Sequence, residues 1–222
     1  TFSGTVGGSE ALGNTTIGVA GLTAGAIKVQ GTLGITNSAA SSITGIISNG
    51  DSAAILTKAG AGTLTLSGDN TYTGATTVSA GILSITHADS LGATDGATTV
   101  ASGASLQLSN AINVADAITI SGTGISNNGA IRSTSGNNTL SGLITVAANM
   151  EIQTDADTLT LNSYGFVESN YFDTQYQWFF DEEKLVLVQN NERIQITPFE
   201  QEGKKQLAYY EVYRSGNLIN VY

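Results

Sequence analysis

Threonines 77, 99, 119 and 145 occupy the same place in four similar segments: TTVSAGILSIT from Thr76, TTVASGASLQL from Thr98, AITISGTGISN from Ala117 and ITVAANMEIQT from Ile144. The steps between them are 22, 20 and 26 residues, and an earlier copy begins at NTTIGVAGLTAG, where Thr16 and Ile17 hold the same places. A unit this short cannot bury an apolar face alone. Repeated at this period it must stack on its neighbours, so the chain is constrained to a solenoid. Short alternating runs such as Thr63-Leu64-Thr65-Leu66, separated by Gly, Ser, Asn and Asp, read as strands and turns. No window carries a 3.6-residue apolar stripe, and the Leu-x-x-Leu-x-Leu pattern of leucine-rich repeats is missing. A parallel β-helix remains, with coils about 4.8 Å apart. Leu64 and Leu66 are expected to point inward, Thr63 and Thr65 outward, and Gly60, Gly62, Gly68 and Gly74 to turn corners at positive φ. Residues 1–162 supply about seven coils, a rod on the order of 35 Å long.

The chain changes character near Asn162. Of its fifteen aromatic residues only Phe2 and Tyr72 precede that point, whereas only Gly165, Gly203 and Gly216 of its 27 glycines follow it. Residues 163–222 therefore read as a second module, an antiparallel β-meander built from TQYQWFF, KLVLVQ, RIQITPF, KQLAYYEVY and LINVY. It is expected to cap the rod or mediate assembly, because solenoid ends present unpaired edges. Tyr176, Trp178, Phe180, Tyr209, Tyr210 and Tyr213 are its candidate contact surface, since Tyr and Trp are favoured at interfaces.

Charge narrows the partners. A formal net charge of −10 with only eight Lys and Arg disfavours nucleic acid and anionic lipid. No apolar run is long enough for a membrane helix, so membrane insertion by such a helix is not expected. The absence of cysteine removes disulfides, thiolate metal sites and cysteine nucleophiles. A start at Thr1 leads to the expectation that a leader or upstream region has been removed.

Two stretches carry a family resemblance. LTKAGAGTLTLSGDNTYTGATTVSAGILSIT, from Leu56 to Thr86, resembles the passenger-associated transport repeat of bacterial autotransporters through its L-T-K-x-G-x-G-T-L-x-L-S-G opening, N-T-Y-T-G turn and T-T-V-x-x-G-x-L close. NNGAIRSTSGNNTLSGLITVAANMEIQTDADTLTL, from Asn127 to Leu161, is similar to neighbouring repeats in the same passengers. The resemblance implies a secreted right-handed β-helix at the bacterial surface, often part of a very large protein, with no common enzymatic activity. It stops at Asn162, and the last sixty residues do not resemble the membrane-embedded barrel that closes an autotransporter.

Chemistry-bearing residues are sparse. His87, the one histidine, has no second histidine or cysteine to share a metal and no G-x-S-x-G serine to serve, so it reads as a turn or surface residue. Asp155 with Asp157, and Asp181 with Glu182 and Glu183, read as solvated turn acids, because the glycine-rich nonapeptide of calcium-loaded β-helices is missing. The nine acids and three bases before residue 163 show no recurrence at the coil period. No catalytic site, metal or cofactor is therefore expected. A water-ordering threonine face is disfavoured because the pairs Thr63/Thr65 and Thr71/Thr73 do not recur either. The expected role is a stiff structural or adhesive stalk, self-assembling or contacting surface glycans and proteins. A carbohydrate-binding module or polysaccharide-processing enzyme on a β-helix is the alternative.

Overall fold

The computed structural model describes residues 5–161 and the backbone of four later strands, Leu185–Val188, Glu192–Gln201, Lys204–Arg214 and Asn217–Val221. The architecture is all-β: about seven turns of a parallel solenoid. Among the described residues the one helical piece is a single 3₁₀ turn, Ile125–Asn127.

One face of the solenoid stacks Thr15–Val19, Ile27–Asn37, Ile47–Ala59, Thr76–Val78, Thr98–Val100, Ile118–Gly122 and Ile144–Thr154 in parallel. Its central column runs Thr16, Gly34, Thr57, Thr77, Thr99, Thr119, Thr145, each in Cα register with the next. The four threonines that define the sequence repeat are thus consecutive rungs, and Thr16 is the first rung of the same column. The loops between strands absorb the unequal steps, so the ladder stays in register while the sequence period drifts.

A second face stacks Thr23–Ala24, Ser41–Ile43, Thr63–Leu66, Gly81–Ile85, Ala104–Leu108 and Ile131–Ser133, and meets the first on Ile144–Thr154. Alternation along each strand sends every second residue inward. Leu64, Leu83, Leu106, Ile131 and Ile152 form one fully buried column, and Ile35, Val78, Val100 and Ile120 lie in another. Leu64 and Leu66 are buried and Thr63 and Thr65 partly exposed, as the alternation requires. A shorter third face pairs Asn113–Val114, Asn138–Leu140 and Thr158–Leu161 in parallel.

The glycine expectation needs correction. Only Gly60 of the four has positive φ, at 77°. Gly62, Gly68 and Gly74 are required for a different reason: a Cβ there would strike the carbonyl oxygens of Ala39, Gly45 and Ala54 on the preceding coil. Coils separated by one strand spacing leave no room for a side chain at these corners.

At the C-terminal end parallel stacking gives way to antiparallel pairing. Leu185–Val188 adds to Thr158–Leu161 on the third face, and Glu192–Gln201 adds to Ile144–Thr154. Glu192–Gln201, Lys204–Arg214 and Asn217–Val221 then pair in sequence. Leu185–Val188, the described part of KLVLVQ, accordingly belongs to the solenoid's third face and not to a row with the strands that follow it. TQYQWFF lies outside the described residues.

Candidate functional site

The motif-bearing turn at residues 56–86 is built around two polar side chains that the sequence alone leaves without a role. Lys58 occupies an inward position between Ile35 and Val78, in a column otherwise aliphatic, and is fully buried. Its Nζ donates to the carbonyl oxygens of Ala59 at 2.8 Å, Gly60 at 2.8 Å and Ala80 at 3.1 Å, ending one corner and clamping it to the next. Burial pulls its pKa down to about 8, which leaves it charged at neutral pH. Gly81, at φ 72°, passes directly over this ammonium, where a Cβ would collide with Nζ.

Tyr72, the aromatic of the N-T-Y-T-G turn, is also fully buried. Its hydroxyl lies 2.6 Å from Thr76 Oγ1, and Thr76 Oγ1 in turn donates to the Leu91 carbonyl at 3.3 Å, so the phenol is the donor of the pair. Burial pushes the phenol above the usual tyrosine range. Asn70 beside it accepts from Ile47 N–H at 2.8 Å and donates to Ser90 carbonyl at 2.6 Å, fastening three coils through one side chain.

On the outer side of this same corner, Asp69, His87 and Asp89 converge. One ligand-type atom from each lies within 4.8 Å of the others. Asp89 N–H donates to His87 Nδ1 at 3.2 Å, and Asp89 Oδ2 stands 3.7 Å from that nitrogen. The residues sit one coil apart, joined by the Asn70 N–H to Asp89 carbonyl bond at 3.1 Å. Scattered acids were expected. The twenty-residue step between Asp69 and Asp89 was the available signal, because it equals one coil.

Two other acids of the rod, Asp155 and Asp157, are committed elsewhere. Asp155 forms a two-oxygen hydrogen bond with Arg132 Nε, at 3.0 and 2.8 Å, and an ion pair with its Nη2 at 2.7 Å. Asp157 Oδ2 accepts the Gly136 N–H at 2.6 Å. Neither is the freely solvated acid that the sequence suggests. Asp116 is 2% exposed, and its Oδ1 has no hydrogen-bond partner among the described residues. Burial, with a further contribution from the charge of Asp89, pushes its carboxyl up to about 6.

Of the candidate contact residues, Tyr176, Trp178 and Phe180 lie outside the described residues, as do Asp181, Glu182 and Glu183. Tyr209, Tyr210 and Tyr213 are on Lys204–Arg214, in backbone register with Thr197, Ile196 and Arg193. The pair Thr63/Thr65 does not recur, since its stacking partners are Ile82, Ser42 and Ser84. A different threonine column does recur, from Thr57 to Thr145.

A family model described as the passenger-associated-transport-repeat matches residues 56–85, the stretch organised by Lys58 and Tyr72. The chain carries a passenger-associated transport repeat. Over 96 residues it is 38% identical to a protein named "Adhesin BmaC autotransporter" from Brucella suis biovar 1 (strain 1330), an alignment covering 42% of this chain and 3% of that relative. The chain thus spans only a small fraction of the length of the curated relative it matches. No solved structure matches the chain. Both matches are to passenger-type repeat sequence, and each spans less than half of this chain.

Proposed function

We propose that the chain is a section of the stalk of a surface adhesin, non-enzymatic, whose right-handed solenoid holds contact regions away from the cell. The observation that carries this reading is the unbroken column from Thr16 to Thr145, behind which the buried side chains are packing groups and internal clamps such as Lys58. Parallel strands stacked this way suit a stiff stalk, because each coil pairs its backbone with the coils on either side. The name of the Brucella relative supports adhesion as the purpose of the stalk.

On this reading residues 163–222 are a capping or assembly module. The antiparallel additions to Thr158–Leu161 and Ile144–Thr154 support a cap, since they occupy edges that a further coil would otherwise use. Contacts with host or surface glycans and proteins are made by loops and by the aromatic module, with Tyr176, Trp178, Phe180, Tyr209, Tyr210 and Tyr213 as its contact residues. Self-association through the same module is the second mode. Electron microscopy with light scattering across a concentration series tests the choice. Isolated short rods that bind immobilised glycans or host-cell surface proteins support the stalk. Extended filaments that disappear when residues 163–222 are removed favour assembly. Globular particles, or depolymerisation of a polysaccharide substrate, overturn the reading.

A further inference from the structure

We propose that Asp69, His87 and Asp89 form a binding site for a borderline divalent transition-metal ion of the zinc type, fastening two consecutive coils from outside. The donor set is one imidazole nitrogen and two carboxylates. That mixture suits zinc and its neighbours, whereas calcium and magnesium prefer oxygen donors alone.

Geometry supports the assignment. Two ligands held at roughly 2.0–2.2 Å by a tetrahedral ion stand about 3.4 Å apart. Asp89 Oδ2 and His87 Nδ1 stand 3.7 Å apart, and one ligand-type atom from each of the three residues lies within 4.8 Å of the others. His87 Nδ1 accepts the Asp89 N–H, so its lone pair carries no proton, and a metal would take that lone pair in place of a 3.2 Å hydrogen bond.

The backbone that presents these donors is fixed from behind. Asp69 precedes Asn70, whose amide bridges Ile47 and Ser90. Asp89 precedes buried Ser90, whose Oγ donates to the Leu66 carbonyl at 3.0 Å and accepts the His87 N–H at 3.2 Å. Every ligand residue is therefore adjacent or bonded to an internal cross-coil anchor, an arrangement that lowers the ordering cost of binding. The local field also favours a cation: two carboxylates face one imidazole, an excess of negative charge that a divalent ion offsets. Two protein carboxylates and one imidazole leave open positions for water or for a donor from a partner.

The test is isothermal titration of the untagged chain with zinc chloride, repeated on Asp69→Asn and His87→Ala and with calcium chloride. Both residues lie at the surface of a turn, so circular dichroism should report an unchanged fold. The expected result is one zinc ion per chain. Affinity should fall at least about tenfold in each variant, since changes to outer-shell partners alone cost about 10- to 100-fold. Calcium should bind at least about tenfold more weakly than zinc. Zinc should also raise the unfolding temperature of the parent chain and not that of His87→Ala. Three results each overturn the proposal: no zinc binding up to millimolar concentration, binding undiminished in either variant, or calcium binding as tight as zinc.

Discussion

The Lys58 ammonium donates 3.1 Å across the coil boundary to the carbonyl oxygen of Ala80, while bonding the carbonyls of Ala59 and Gly60 on its own corner. One charged side chain in an aliphatic column thereby ends two successive corners of the repeat. Lys58→Met keeps the packed stem and removes all three donors. Leaving such carbonyls unpaired costs about 1–3 kcal/mol for each that water cannot reach. Denaturant melts of the parent and the variant should show a loss of about 2–4 kcal/mol, and amide exchange should quicken at Gly81 and Ile82. A neutral effect would mean that the lysine is an accident of composition.

Tyr72 separates hydrogen bonding from volume. Tyr72→Phe deletes only the donor to Thr76 and should cost about 1 kcal/mol. Tyr72→Ala empties a fully buried site against Gly92 and should cost about 3–5 kcal/mol. Equal losses in the two variants, measured by thermal unfolding, would contradict the packing role of the ring.

Asp116 makes stability depend on pH in the unusual direction for a carboxylate. Its folded pKa, about 6, is above its ordinary value of 3.8, so the native state holds the proton more tightly than the unfolded chain. Its stabilising effect is complete below about pH 4 and is lost as pH rises through 6. The difference corresponds to about 3 kcal/mol at most. Asp116→Asn should flatten the stability profile across that window and raise stability at pH 7. A variant with an unchanged profile would show that the carboxyl is not buried.

The register predicts which deletion the fold tolerates. Removing residues 77–98 joins Thr76 to Thr99 and restores the strand Thr98–Val100 in its own phase, because Thr76 and Thr98 are stacked partners. The product should keep its β-sheet circular dichroism and melt cooperatively. Removing half as many residues inverts inward and outward positions and should abolish folding.

Much of this architecture was legible in the sequence because β-helix stacking writes its register directly into spacing. Thr77, Thr99, Thr119 and Thr145 are rungs of one ladder, and the alternation at Thr63 to Leu66 sorts inside from outside. The glycine corners were located correctly but misread at Gly62, Gly68 and Gly74. Close approach of an adjacent coil depends on a neighbour about twenty residues away, not on local conformation. Lys58 and Tyr72 were not legible as interior residues, since hydrophobicity sends lysine outward and the carbonyls that satisfy it belong to corners of two coils. The grouping of Asp69, His87 and Asp89 was hidden similarly: a single histidine has meaning only once the coil period is applied to its acidic neighbours.

The central claim is that strands far apart in sequence stack in one column at strand spacing. Spin labels at Thr57→Cys and Thr145→Cys, in a chain with no native cysteine, measure it directly by pulsed electron resonance. Four rungs separate these positions, so the account predicts a narrow distance distribution centred at about 20 Å. A broad distribution, or one centred well beyond 30 Å, would contradict the stacked column.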